Sequence, residues 1–302
     1  RDLHSFPTRR SSDLAAALTY ARARSAALLF STGIETRGTA SIQAMVDLAL
    51  LTGNLAKEGA GLYALTEQNN LQGVCDMGML PDRWPGYSSV TDAAARQLLE
   101  SRWGVSLPPR PGLDARAVLE HRGHASVKAL WLGRYDPVTT AFFCDAARSL
   151  RQFELVVVQH LFMTDTAQFA HVILPTVAFG EEQVTFTSTD RRIQLAERVK
   201  DPPPGPRPAW EQLTALARRL GAPWPYRSAA EVMDEIGRVV PFYSGASYEN
   251  LARDYGRPWP CTKDKPLGTR FLFEDGPPER RFVFKPIARP PLTEPNRRDY
   301  PI

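Results

Sequence analysis

Between Val127 and Leu174, short and almost uninterrupted apolar runs alternate with stretches that suit helices. Val127–Leu132 (VKALWL), Phe153–Val158 (FELVVV) and His171–Leu174 predict three strands. A turn at Gly133–Pro137, a helix over Val138–Leu150 and a short helix over Thr164–Ala170 are expected between them. Strands apolar on both faces belong to a parallel sheet with helices on both sides. The expected fold class is therefore α/β, a Rossmann-like, doubly wound parallel sheet, followed by an irregular proline-rich C-terminal extension.

Other segments carry weaker patterns. Leu14–Ala27 is alanine-rich, free of Gly and Pro, and suits a helix. Ala27–Ser31 reads as a buried strand ending in a Thr32-Gly33 turn. Ser41–Leu51 has helical spacing, with Ile42, Met45, Val46, Leu48 and Ala49 as its apolar side and Thr52-Gly53-Asn54 as its stop. Helices are also expected around Val90–Arg102, Asp114–Glu120, Trp210–Leu220 and Ala229–Val239. Val184–Asp190 and Arg192–Leu195 can pair as a hairpin, and Asp201–Pro208 is a proline-rich linker. From Arg257 onward Pro and charge dominate, as in Arg289-Pro290-Pro291 and Glu294–Arg298, with too little apolar content for a core.

One stretch fits neither helical nor strand periodicity. Gln68–Gly78 reads QNNLQGVCDMG, with four side-chain amides in five positions and two glycines around a Cys and an Asp. Amides there compete with backbone pairing, and glycines let a backbone come close to another group. A polar, hydrogen-bonding ligand would satisfy such a loop; so would amides that satisfy each other.

Composition narrows the classes. The 302 residues are 43% hydrophobic and 23% charged, with a net charge of +4, an ordinary globular balance. Lys and Arg are spread out, so nucleic acid is not the expected partner. No apolar run approaches a membrane span. Cys75, Cys144 and Cys261 lie far apart, and the histidines at 4, 121, 124, 160 and 171 have no metal spacing, so no metal ligand set is expected. Residues 5–14 (SFPTRRSSDL) resemble a translated sequencing adapter, and residues 1–14 are expected to be non-native.

In parallel sheets, ligands bind beyond the carboxyl ends of the strands. Asp136 stands at such an end. Its carboxylate could accept from ribose hydroxyls or a base amide, with Thr140 one turn on, facing the same ligand. Equally, Asp136 could cap the helix that Pro137 begins, and both roles can coexist. Gln159 leaves the second strand and could hold a ligand amide; His160 beside it reads as structural. Glu181 and Glu182 point opposite ways on a strand and form no acid–base pair. Thr185, Thr187 and Thr189 share one face of the hairpin, whose Asp190–Arg192 tip is either a basic site or solvated.

These motifs, taken in order, resemble one family. Thr52-Gly53-Asn54, Gly59-Ala60-Gly61, the Gln68–Gly78 loop, Leu80-Pro81 and Pro85-Gly86-Tyr87 are similar to the formate dehydrogenase large subunit, a molybdopterin oxidoreductase. So are Gly133-x-x-Asp136-Pro137, Val158-Gln159, Thr164-x-Thr166-Ala167, Val172-x-Leu174-Pro175, Thr185-Phe186-Thr187 and Trp259-Pro260-Cys261. The resemblance implies a molybdenum or tungsten bis(molybdopterin guanine dinucleotide) cofactor. Asp136 and Thr140 would hold its guanosine part, with Gln68 beside the metal and Thr36, Gln159 and Thr176 as further cofactor contacts. It also implies a 4Fe-4S cluster whose ligands lie outside this sequence, electron-transfer subunits as partners, a small-molecule substrate (formate or another small oxyanion or acid) and a cytoplasmic location.

The same resemblance divides the chain. Residues 15–68 would end one α/β cofactor-binding domain, 69–245 would form a second that binds the pterin guanine dinucleotide, and 246–302 would lead as an extended linker toward a β-barrel. One departure bears on chemistry. Thr66, two residues before Gln68, replaces the arginine that binds formate in the family, and threonine cannot supply a bidentate cation for a carboxylate. Gln68 and Thr66 are thus the candidate catalytic positions. The alternative reading is a stand-alone nucleotide-binding or scaffolding α/β module without catalysis.

Overall fold

The computed structural model describes residues 7–35, 38–120, 127–141, 144–276 and 281–287. The chain divides into two compact units. One holds the residues up to Asn69 together with those from Thr269 onward, the other Asn70 to Gly268.

The first unit is built from α1 (Pro7–Arg22), β1 (Ala27–Phe30), α2 (Thr32–Glu35), α3 (Thr39–Leu51) and β2 (Gly61–Ala64). β1 and β2 pair in parallel, Ala27 opposite Gly61 and Phe30 opposite Ala64. β2 lies where no regular element was expected; the four residues Gly61 to Ala64 form a strand because β1 supplies the pairing. α3 stops at the expected place. The Thr52 hydroxyl donates to Leu48 O at 2.8 Å, and Gly53 takes φ 66°, the left-handed conformation that ends many helices. Asn54 is fully buried and joins two segments: its Oδ1 accepts Ala26 N–H at 3.1 Å and its Nδ2 donates to Tyr20 O at 3.2 Å.

In the second unit come α4 (Leu71–Asp76), α5 (Ala93–Trp103), α6 (Ala115–Leu119), β3 (Ala129–Gly133), α7 (Pro137–Thr140), α8 (Ala146–Leu150) and β4 (Leu155–His160). A 3₁₀ turn (Asp165–Phe169) then leads to β5 (Val172–Pro175), β6 (Val184–Thr187), β7 (Arg192–Ala196), α9 (Ala209–Arg219), α10 (Ala229–Val239), α11 (Tyr248–Arg253) and β8 (Arg257–Pro258). β3, β4 and β5 form the expected parallel sheet in that order, with Leu132 opposite Val158 and Gln159 opposite Leu174. Alternate residues of β4 face opposite sides. Val156 and Val158 pack with Leu132, Leu119, Ala146, Leu150 and Ala167, each fully buried valine worth roughly 1.5–3 kcal/mol. Gln159 faces the other side, where α9 meets it through Gln212.

The structure departs from the sequence pattern in two places here. The single helix expected over Val138–Leu150 is two short ones. The β-branched run Val138-Thr139-Thr140 propagates a helix poorly, Ala141 leaves helical conformation at φ −87°, ψ 77°, and Asp145 restarts it by accepting Arg148 N–H at 3.0 Å. The other departure is at the C-terminal side. The β6–β7 hairpin forms as expected, but β8 joins it, Ile193 opposite Arg257. Cys261 and Ile193 are fully buried with Met233, Val240, Tyr243 and Leu251. Residues that composition reads as tail are therefore core, and the compact unit runs to Gly268. The Arg289–Pro291 and Glu294–Arg298 stretches lie outside the described residues.

Candidate functional site

The amide loop is partly structural. Its middle folds as α4, which the periodicity does not announce because tertiary contacts hold it. Asn70 Oδ1 accepts the Thr187 N–H of β6 at 2.8 Å. At the other end of α4, Asp76 is completely buried, and its Oδ2 accepts the Tyr243 hydroxyl at 2.6 Å; the Tyr243 and Thr187 hydroxyls are also 2.6 Å apart. The helix is thus clamped to β6 at both ends. Burial raises the Asp76 carboxyl above the usual aspartate range, against the opposing effect of hydrogen bonds from Tyr243, Tyr87 and Gln72. Burial also raises the Tyr243 hydroxyl, with the nearby Asp76 adding to it. Gly73 is required here, since a Cβ would stand 2.2 Å from Asn70 Oδ1.

Gln68 and Thr66 belong to the first unit. The Thr66 hydroxyl donates to the Gln68 carbonyl at 2.9 Å, a tight local turn that leaves the Gln68 side chain exposed. Thr36 lies outside the described residues.

In the second unit, the carboxyl end of the β3–β5 sheet gathers the other expected residues. Asp136 follows β3. Its Oδ2 accepts the Thr139 hydroxyl at 2.8 Å, and its Oδ1 accepts the Thr166 backbone N–H at 3.2 Å and the Thr166 hydroxyl. Burial alone would raise this carboxyl, but the hydrogen bonds from Thr166 and Thr139 outweigh it and hold it below the usual range. The expected cap does not form through the side chain. Thr166 and Thr139 thus hold Asp136 from both side chain and backbone, and the residue stays partly exposed at the sheet end. Thr140 is exposed and donates to Asp136 O at 2.7 Å. Gln159 is 3% exposed and donates to Gln212 Oε1 at 2.9 Å. Thr176 is 4% exposed, and its hydroxyl has no hydrogen-bond partner among the described residues.

Several neighbours were not legible in the sequence. Arg134 ends β3 at φ 53° and reaches across to Val177 O at 3.0 Å and Glu182 Oε1 at 2.7 Å, tying the loop after β5 to the sheet edge. Burial raises the Glu182 carboxyl, and Arg134 opposes that. Glu181 accepts its own loop's Ala178 N–H at 2.9 Å, so the two glutamates do separate work. His160 Nδ1 accepts Phe162 N–H at 3.0 Å, the structural role expected. His4, His121 and His124 lie outside the described residues. At the hairpin tip, Ser188 bonds Asp190 and Arg191 bonds Trp259 O, so the tip is tied inward. An open cavity of about 290 Å³ lies elsewhere, beside Asp234, Arg238, Ser247 and Lys263, and none of the expected residues lines it.

A buried, unpartnered hydroxyl at Thr176, the partly exposed carboxylate of Asp136 and an ordered amide at Gln159 suit a neutral, hydrogen-bonding ligand such as a base or ribose. The donor set offers no ligands for a metal: the described residues hold no cluster of His, Cys, Asp and Glu fit for one. These residues therefore fit the nucleotide end of a pterin dinucleotide and not its metal.

A parallel α/β unit with polar residues at its strand ends has them where such folds bind ligands. By comparison, the model of the molybdopterin oxidoreductase family matches residues 20–219, and the chain belongs to that family. Formate dehydrogenase H of Escherichia coli K12 is 38% identical over 266 residues, covering 86% of this chain and 37% of that protein. A formate dehydrogenase 2 subunit alpha of Methanococcus maripaludis is 35% identical over 297 residues, covering 96% and 43%. Among solved structures, acetylene hydratase from Pelobacter acetylenicus matches at 18% identity with a TM-score of 0.48, covering 78% of this chain and 36% of that one. The chain spans less than half the length of these relatives. Among the described residues no helix is long and apolar enough to cross a membrane.

Proposed function

We propose that the intact protein is a molybdenum- or tungsten-dependent oxidoreductase of the formate dehydrogenase kind, and that this chain supplies the nucleotide-binding part of its bis(molybdopterin guanine dinucleotide) site. The observation that carries the reading is the strand-end group of Asp136, Gln159 and Thr176, with a partly exposed carboxylate and an unpartnered buried hydroxyl. When bound, the cofactor would supply a two-electron redox centre, served by a 4Fe-4S cluster and electron-transfer subunits of the intact protein. Asp136 accepts a ribose hydroxyl or a base N–H, Thr140 flanks it, and Thr176 and Gln159 complete the polar surface. Thr36 adds a further cofactor contact. Gln68, exposed at the start of the amide loop, would stand beside the metal when the cofactor is bound.

Thr66 bears on the substrate. Its hydroxyl is committed to the Gln68 carbonyl, and it carries no charge to orient a carboxylate. The substrate is a small acid or oxyanion, and formate itself would be held less firmly than by an arginine. Introducing Thr66→Arg into the full-length enzyme is expected to raise kcat/KM for formate, and an unchanged value would refute this.

Isothermal titration of the 302-residue chain with GMP tests the site. GMP is expected to bind, and Asp136→Ala to weaken it about tenfold, as for loss of a charge-assisted bond. Equal binding by the variant would overturn the assignment. The isolated chain should turn over no formate with an artificial electron acceptor, and turnover would show that the metal ligands are not needed from elsewhere.

A further inference from the structure

Gln212 of α9 holds the Gln159 amide in one orientation. Both protons on its Nε2 are committed to carbonyl oxygens, Pro175 O at 2.6 Å and Arg207 O at 2.9 Å. Carbonyls only accept, so Nε2 and Oε1 of Gln212 cannot change places without losing both bonds. Its Oε1 is left facing Gln159 and accepts from Gln159 Nε2 at 2.9 Å. The amino end of Gln159 is therefore turned toward α9. Its Oε1 lies over Gly133, where a Cβ would stand 3.6 Å away. A free glutamine amide could donate or accept at this sheet edge. Locked in this way, and only 3% exposed, it presents an acceptor.

We propose that Gln212 is a positioning residue that sets the hydrogen-bond polarity of the nucleotide site. The ligand edge meeting Gln159 is then a donor, an N–H or amino group of the 2-amino-4-oxo kind that guanine and pterins share. This rests on the guanine nucleotide reading given above. A ligand carrying a carbonyl in place of the amino group meets acceptor against acceptor, and the lock prevents Gln159 from turning to suit it.

Calorimetry with GMP and with XMP, in which a carbonyl replaces the 2-amino group, tests this on the wild-type chain and on Gln212→Leu. The wild type is expected to prefer GMP by about tenfold or more. In Gln212→Leu the amide can turn, XMP binding improves, and the ratio falls to about threefold or less. Gln212→Met, closer in length, gives the same readout should the leucine variant not fold. Equal binding of the two nucleotides by the wild type, or an unchanged ratio in a folded variant, overturns the proposal. A wild type that binds neither nucleotide overturns the nucleotide reading instead. The lock itself is then judged by NMR of the ligand-free chain. Gln159 side-chain amide protons should exchange slowly in the wild type and at least about tenfold faster in the variant, as for a lost hydrogen bond, and equal exchange removes it.

Discussion

Replacing Tyr243 with phenylalanine removes one oxygen from the centre of the clamp that holds α4. That oxygen lies 2.6 Å from Asp76 Oδ2 and 2.6 Å from the Thr187 hydroxyl, and all three residues are at most 3% exposed. Water cannot replace it without opening the core. Each lost hydrogen bond is worth about 1 kcal/mol, and a buried polar group stranded without its partner adds about 1–3 kcal/mol. Tyr87 and Gln72 stay beside the Asp76 carboxyl after the change, so the loss is that of the two Tyr243 contacts and of the Thr187 hydroxyl they leave stranded. A loss of about 3 kcal/mol is expected. At roughly 2–4 °C per kcal/mol for a protein of this size, Tm should fall by about 6–12 °C. Thermal unfolding followed by near-ultraviolet circular dichroism measures it. Tyr248→Phe is the control: its hydroxyl makes one long contact, 3.4 Å to Gln183 O, and should change stability by less than about 0.5 kcal/mol. A Tyr243→Phe protein as stable as that control would refute the claim that the clamp holds the loop.

Asp76 makes the same clamp sensitive to pH. The folded chain holds the Asp76 proton more tightly than the unfolded chain, so stability present at low pH is lost as pH rises through the raised folded value; Asp76→Asn should flatten that slope in unfolding curves taken from pH 4 to 8, and an unchanged slope would count against it. Gly73→Ala pushes Asn70 off the Thr187 N–H and should cost about 1–3 kcal/mol in urea unfolding; a neutral change would mean that Asn70 can move without loss. Arg134→Met leaves Glu182 buried without its cation. A fully buried pair loses about 3–5 kcal/mol on such a change, but the Arg134 side chain is 41% exposed, and solvent screening reduces the expected loss to about 1–3 kcal/mol, with faster proteolysis in the Val177–Glu182 loop as its local sign. Cys261 is fully buried, and burial pushes its thiol up despite the nearby Arg257; iodoacetamide should label the half-buried Cys75 and Cys144 first, and equal labelling of Cys261 in the native protein would show that this core opens readily.

Local signals carried much of the plan. The near-continuous apolar runs at 127–132 and 153–158 sufficed for the parallel sheet, because its central strand, β4, is buried on both faces and has no polar side to show. The Thr52-Gly53 stop ended α3 where it was read, since a left-handed glycine is a local requirement. Asp136 and Gln159 could be placed at strand ends because chain order decides which end of a parallel strand the next loop leaves; Thr176 was indicated only by the family resemblance. Thr66 could be recognised as a departure because a missing charge is visible without any coordinates.

Only tertiary structure decided the rest. α4 exists because Asn70 meets Thr187 and Asp76 meets Tyr243, partners 117 and 167 residues away, and no periodicity within six residues encodes such contacts. β8 and Cys261 belong to the core because β7 offers an edge, whereas composition alone makes that stretch a tail. Gln212 is one polar residue in an amphipathic helix until packing sets its amide between Pro175, Arg207 and Gln159. Sequence thus determined which groups are available at the strand ends. Long-range hydrogen bonds decided which way those groups face, because the orientation of a buried amide depends on partners that only folding brings together.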